Sequence, residues 1–247
     1  MFAHLDALKT KLDALRPLPS ALVENLRQDL VLRWTYHSNA IEGNTLTLKE
    51  TKVVLEGITV GGKSLREHFE AINHRDAILL VESIVAREEA FTEWQIKNLH
   101  QLILKNVDDK NAGRYRSINV RIAGAEHLPP DALLVAEQMQ HFLEWYNGTG
   151  QTLHPIERAA RVHSDFVKIH PFTDGNGRTA RLLLNLELLK NGFPAVVLPI
   201  ERRLEYYQVL DLAHTSGDHL PFIRLIVVLL EQSFTIYAQA FGQQWQS

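Results

Sequence analysis

The chain of 247 residues contains no cysteine, which excludes disulfide bridges and a cysteine nucleophile. It lacks an excess of either charge. With 26 basic and 29 acidic residues the net charge is −3, so there is no electrostatic footprint for non-specific nucleic-acid binding. Long apolar runs are missing too. The longest near the end, Leu225 to Leu230, is too short by itself to cross a bilayer, and no membrane partner is expected. Met1 is followed by Phe-Ala-His-Leu-Asp, without the basic stretch and apolar run of a secretory leader, so a cytoplasmic location is expected by elimination. The 12 histidines do not form a metal site by spacing: His163 and His170 lie seven apart, with no third ligand at a suitable distance along the chain.

What is present is helical periodicity. Phe2, Leu5, Leu8, Leu12 and Leu15 share one face of a first helix that Pro17 and Pro19 stop. That leucine stripe reads either as a homodimer seam or as a helix docked on its own core. Ser20 is expected to cap a second helix reaching about Tyr36. Three capping boxes follow, at Thr47/Glu50, Ser64/Glu67 and Thr92/Gln95. Further helices are expected at about 131–147, 155–169, 177–190, 203–215 and 219–239. One stretch, GRYRSINVRIAGAEHLPP from Gly113 to Pro130, breaks the pattern, with β-branched residues alternating around Gly124; it predicts a short β-hairpin. The expected fold class is all-α, a helical core with one β-hairpin.

Chemistry concentrates at residues 170–181, HPFTDGNGRTAR. Pro171 ends the helix before it, and an apolar helix follows from Thr179. Between them a loop carries Gly175, Asn176 and Gly177 into a helix N-terminus, where backbone N–H groups favour anions and glycine lets a phosphate come close. Arg178 and Arg181, three apart, are expected on one face with both guanidinium forks aimed at one anion. Asp174 at the loop mouth reads as a magnesium ligand. His170 is an imidazole able to take a proton near neutral pH. Base, metal ligand, anion cradle and paired cations are the parts that phosphoryl-type transfer needs. A glycine turn alone would be no more than a helix–turn–helix; the convergence of polar groups on open backbone argues for a site.

The string HPFTDGNGRTAR resembles the Fic (Fido) signature HxFx(D/E)GNGRxxR at each defined position, and the resemblance extends from about Thr35 to Leu229. It implies the Fic fold, a helical core with a hairpin flap, and transfer of AMP from ATP to a Ser, Thr or Tyr hydroxyl of a target protein. By position it implies His170 as the base, Phe172 as the buried anchor of the loop and Asp174 as the holder of Mg2+. Gly175, Asn176, Gly177 and Arg178 would lie along the α- and β-phosphates, and Arg181 would reach the γ-phosphate. The Doc branch departs from the Gly-Asn-Gly-Arg core, which this chain keeps. The resemblance also makes the 113–130 segment the flap where an unidentified target protein docks by strand addition, with Val120 and Ile122 bordering the nucleotide. Tyr207 and His214 match positions that flank adenine; close relatives carry Asn in place of His214.

Residues 38–43, SNAIEG, resemble the Fic inhibitory motif (S/T)xxxE(G/N), with Ser38 and Glu42 at the defined positions and Asn44-Thr45-Leu46-Thr47 also similar to relatives. The implied arrangement is an N-terminal helical region over 1–90 that carries the motif and a Fic core over 91–240. In it the Glu42 carboxylate would pair bidentately with Arg181 and occupy the γ-phosphate position. Two alternatives belong with this expectation: hydrolytic removal of AMP from a modified protein, and a module that senses nucleotide without consuming it.

Overall fold

Helix starts in this chain are set by local chemistry. In the computed structural model, which describes residues 1–243 and 245, all three expected capping boxes are formed reciprocally. Thr47 opens α3 (Leu48–Leu55), Ser64 opens α4 (Leu65–Ala86) and Thr92 opens α5 (Glu93–Leu104). Each satisfies backbone N–H groups that a helix start leaves without partners. The remaining helices among the described residues are α1 (Ala3–Asp13), α2 (Ser20–Ile41), α6 (Val135–Asn147), α7 (Pro155–Ile169), α8 (Asn176–Lys190), α9 (Arg203–Ser216) and α10 (Leu220–Ala240). The fold is all-α, as expected.

Ser20 does not cap α2. Pro19 occupies the cap position, and the side chain of Ser20, the first helical residue, makes no capping bond. The helix also runs five residues past Tyr36, because Ser38, Asn39 and Ile41 are buried in the tertiary structure and packing extends it beyond the apolar pattern. Its end is a Schellman turn: the Gly43 N–H donates to the Ala40 carbonyl and the Asn44 N–H to that of Asn39, with Gly43 at φ +100°. The Glu-Gly pair of the motif thus has a backbone reason, since glycine reverses the chain immediately after Glu42.

The centre of the molecule is the α7–α8 pair. Along α8, Leu182, Leu183, Leu186 and Leu188 are fully buried, and α4, α5 and α2 pack around it. The leucine stripe of α1 is docked on its own core: Leu5, Leu8 and Leu12 are buried and α1 packs on α10. Apolar packing is continuous across position 90, with Ile78, Val81 and Ile84 of α4 in the same cluster as Ile96 and Leu99 of α5. The run Leu225–Leu230 belongs to a 21-residue helix, α10, long and apolar enough by length and composition to cross a membrane. In this fold its Phe222, Leu225, Ile226, Leu229, Leu230 and Phe234 are buried.

Residues 113–130 form an open excursion with a tight turn, in which the Ala125 N–H donates to the Ile122 carbonyl and Gly124 takes φ +79°. Among the described residues its backbone bonds run to the core instead of across a ladder. Arg116 N–H donates to the Pro171 carbonyl, and the N–H groups of Glu126 and His127 donate to the Asp211 carboxylate on α9.

Candidate active site

The loop between α7 and α8 is held by its own side chains. His170 caps α7 in the left-handed region at φ 51° and ψ 58°, a conformation unusual for a residue with a Cβ. Phe172 is fully buried and stacks on His100. Asn176 turns its amide inward: its Oδ1 accepts from the Phe172 N–H at 2.9 Å and its Nδ2 donates to the Phe172 carbonyl at 2.8 Å. The Asn176 side chain therefore staples the loop, and what it offers an anion is the backbone at the start of α8. Gly175, at φ +76°, makes the turn into that helix.

The start of α8 already faces an anion. The Glu42 carboxylate lies against Gly177 so closely that a Cβ there would collide with it. Its Oε1 accepts from an Arg181 terminal nitrogen at 2.7 Å. A carboxylate over a helix N-terminus, beside a guanidinium, occupies the place a phosphate would take. The pair is single-bonded and not the expected bidentate fork. The other Arg181 N–H groups donate to Ser38 Oγ (3.0 Å), the Ser38 carbonyl (2.8 Å) and Tyr206 Oη (3.4 Å). Burial opposes the charge on Arg181, but Glu42 and Tyr206 together outweigh it and the pKa is raised.

Arg178 and Arg181 do not converge on one anion. Arg178 pairs with Asp174 at 3.3 Å and Glu70 at 3.5 Å, while Arg181 pairs with Glu42. The two share a flank of α8, yet acidic partners on different elements draw their tips apart. Asp174 also accepts from Arg66 at 2.9 Å and from the Gly175 N–H at 2.6 Å. Burial pushes its pKa up, but Arg178, the Gly175 N–H and Arg66 together outweigh that and hold the carboxyl below its ordinary range. His170 is half-buried, and burial lowers its pKa to about 4, with the Arg116 charge acting in the same direction and Glu42 and Asp174 against it. The imidazole is thus neutral at pH 7, as a general base requires.

The expected adenine contacts are unequal. Val120 and Ile122 are half-buried on the flap, and Tyr207 is 39% exposed with its hydroxyl donating to the Ile41 carbonyl at 3.3 Å. His214 is buried, its Nε2 bonded to the Ser164 carbonyl at 2.9 Å and its ring edge-on to His127, so it is tied into α7. Three residues that sequence reasoning missed organise the site. His100 joins loop to flap, with Nε2 to the Asp174 carbonyl and Nδ1 accepting from the Gly113 N–H, both at 2.9 Å. Glu70 joins Asn44, two residues after Glu42, to Arg178. Arg116 contacts the His170 carbonyl.

The Fic/DOC family profile matches residues 90–188, the stretch holding α5 to the signature loop. The solved Fic-1 (residues 134–508) of Caenorhabditis elegans is 37% identical, with a TM-score of 0.87 over 97% of this chain and 72% of that one. This chain belongs to the Fic/DOC family. A Fic domain-containing signaling protein from Bacteroides thetaiotaomicron superposes with a TM-score of 0.88 at 31% identity, covering 99% of each chain. The curated protein adenylyltransferase fic-1 of C. elegans is 40% identical over 225 residues, which is 90% of this chain and 44% of that protein. The chain spans about half the length of the curated relatives it matches.

Proposed function

We propose that this Fic chain is a protein adenylyltransferase, moving AMP from ATP to a Ser, Thr or Tyr hydroxyl of another protein and restrained by its own Glu42. The observation that carries the reading is the Glu42 carboxylate seated on Gly177 and Arg181, an anion in a cradle at a helix N-terminus with neutral His170 at the other end of the same loop. In the reaction the target hydroxyl oxygen bonds to the α-phosphorus, the bond from that phosphorus to the bridging oxygen breaks, and pyrophosphate leaves. His170 takes the hydroxyl proton. The backbone of Gly175 to Arg178 receives the phosphates, and Arg181, once Glu42 withdraws, receives the terminal one. Val120, Ile122 and Tyr207 border the base, with His214 supporting that wall from behind.

Asp174 is the residue that would hold Mg2+. Its carboxylate is 45% exposed and kept ionised, which fits an ion bound through one carboxylate and phosphate oxygens once the Arg66 and Arg178 contacts give way. When bound, such an ion neutralises charge on the phosphates. The target lies along the 113–130 flap, where backbone pairing registers a hydroxyl with little demand on sequence.

Labelling of a cell lysate by ATP carrying a labelled α-phosphate tests the reading, with Glu42→Gly as the released enzyme. His170→Ala in that background is expected to lower labelling by about 10²–10⁴-fold while ATP binding by calorimetry is retained. Label persisting near the parental rate removes His170 from the mechanism, and ATP binding without label on any protein favours a sensing module. A hydrolytic role is a second reading. Glu42 is 33% exposed and its charge acts on His170, so it faces the reacting region. Release of AMP from a modified protein by the wild-type chain without ATP would support it.

A further inference from the structure

Arg116 is buried, 4% exposed, at the point where the chain leaves the core to form the flap. Its guanidinium meets no carboxylate at ion-pair distance among the described residues. It donates instead to three backbone carbonyls: from Nε to His170 (2.9 Å), and from its terminal nitrogens to Ile118 (2.9 Å) and Pro130 (2.5 Å). Its own N–H donates to the Pro171 carbonyl at 2.9 Å. Those partners lie on the outgoing arm of the flap, on its returning arm and at the catalytic histidine. A cation buried on neutral acceptors is costly, and burial lowers its pKa. A planar fork reaches three separated carbonyls from three different nitrogens, whereas an ammonium gathers its three donors on one nitrogen.

We propose that Arg116 is a positioning residue that makes the flap and His170 one rigid unit, so that the surface registering the target backbone and the base that deprotonates it keep a fixed separation. The proposal rests on the adenylyltransferase reading of the site. It explains how His170 persists at φ 51°: two successive carbonyls, those of His170 and Pro171, are gripped by one residue 54 positions earlier in the chain. It also spans the two arms of the flap at their base with one side chain.

The test uses the full chain in the Glu42→Gly background, with ATP labelled at the α-phosphate, self-labelling and lysate labelling as rates, calorimetry for ATP affinity, and hydrogen exchange of the backbone. For Arg116→Ala the expected result is a labelling rate about 10²-fold lower, the scale of a small misplacement of reacting groups. ATP affinity should stay within about twofold, because the phosphate cradle is built from other residues. Amides of 117–130 should exchange faster while those of α7 and α8 keep their protection. Arg116→Lys should fall between, and added guanidinium ion should restore part of the alanine variant's rate. A merely structural role would lower ATP affinity and rate together and show no rescue, which overturns the proposal, as would unchanged labelling with an unchanged flap. If the alanine variant does not fold, the lysine variant decides by the same readings. If the parent labels nothing, the function has failed, and the exchange pattern still judges the clamp.

Discussion

Two arginine–glutamate pairs on α8 have the same closest distance and opposite characters. Arg158 of α7 and Glu187 of α8 meet at 2.7 Å, with side chains 7% and 1% exposed. Arg181 of α8 and Glu42 of α2 also meet at 2.7 Å, but Glu42 is 33% exposed. Every side of the Glu187 carboxylate is used: Tyr146 donates to one oxygen at 2.7 Å, and Arg158 and Asn191 donate to the other at 2.7 and 2.8 Å. Glu42 lends Arg181 a single oxygen from the C-terminal end of a helix and leans over Gly177. No solute can take the place of Glu187, because no path or space leads to it among its donors. Any anion reaching the start of α8 competes directly with Glu42. Distance alone does not distinguish a structural pair from a switchable one; the number of donors around the carboxylate and its exposure do.

The largest expected effect lies on the enclosed side. Glu187→Ala strands the Arg158 guanidinium in the interior, and breaking a buried pair in this way costs about 3–5 kcal/mol. For a chain of this size that corresponds to a melting temperature lower by roughly 6–20 °C. Urea or thermal unfolding followed by circular dichroism measures it. A loss below about 1 kcal/mol, the range of exposed pairs, would mean that water already reaches Arg158 and that the contrast between the two pairs is wrong.

Acid probes the same interior without a mutation. His74 and His163 are held well below the usual histidine range by burial, and His100, His170 and His214 are lowered to about 4 by the same cause. Between the unfolded value of about 6.5 and the folded values, the unfolded chain takes up protons that the native chain refuses. Stability therefore increases with pH across that window and falls as pH drops from about 6.5 toward 4. Above 6.5 these groups contribute no slope. Melting temperatures measured from pH 4.5 to 7.5 should decline steadily on the acid side; a flat profile would mean that these rings are hydrated.

What could be read in advance was local. Capping boxes span three residues, and the anion loop, its histidine and its arginines lie within twelve, so each signal fits inside one window of sequence. The Glu42–Arg181 contact was expected from the resemblance of SNAIEG to an inhibitory motif, and the turn at Gly43 adds a backbone reason for its Glu-Gly pair. Arg116, His100 and Glu70 were not legible, because each acts by bonding groups far away in the chain: Arg116 reaches 54 residues to His170, and His100 reaches 74 to Asp174. Arg116 and His100 bond to backbone carbonyls, which every residue carries, so no pairing of side-chain types announces those contacts. The same blindness misjudged Arg178, whose tip is drawn to Glu70 by a helix that spacing on α8 does not reveal.

The smallest expected change in stability comes with the largest gain in activity, at Glu42. Glu42→Gly removes one half-exposed ion pair, worth at most about 1 kcal/mol once solvent screening is counted. Arg181 remains bonded to Ser38 and Tyr206, so it is not left without partners. The melting temperature should fall by no more than roughly 4 °C. The rate of AMP transfer should rise, because the carboxylate and the terminal phosphate of ATP seek the same guanidinium and the same helix N-terminus. Displacing a pair worth about 1 kcal/mol costs the nucleotide a factor of about five, so freeing Arg181 should raise labelling about fivefold. Glu42→Gln should give a smaller gain, since the amide oxygen still accepts from Arg181 without the charge. Arg181→Ala in the Glu42→Gly chain should cancel the increase, because the freed cation is what the nucleotide gains. A Glu42→Gly chain that melts as far below wild type as Glu187→Ala and labels no faster would place both pairs in one class, and Glu42 would then be part of the scaffold.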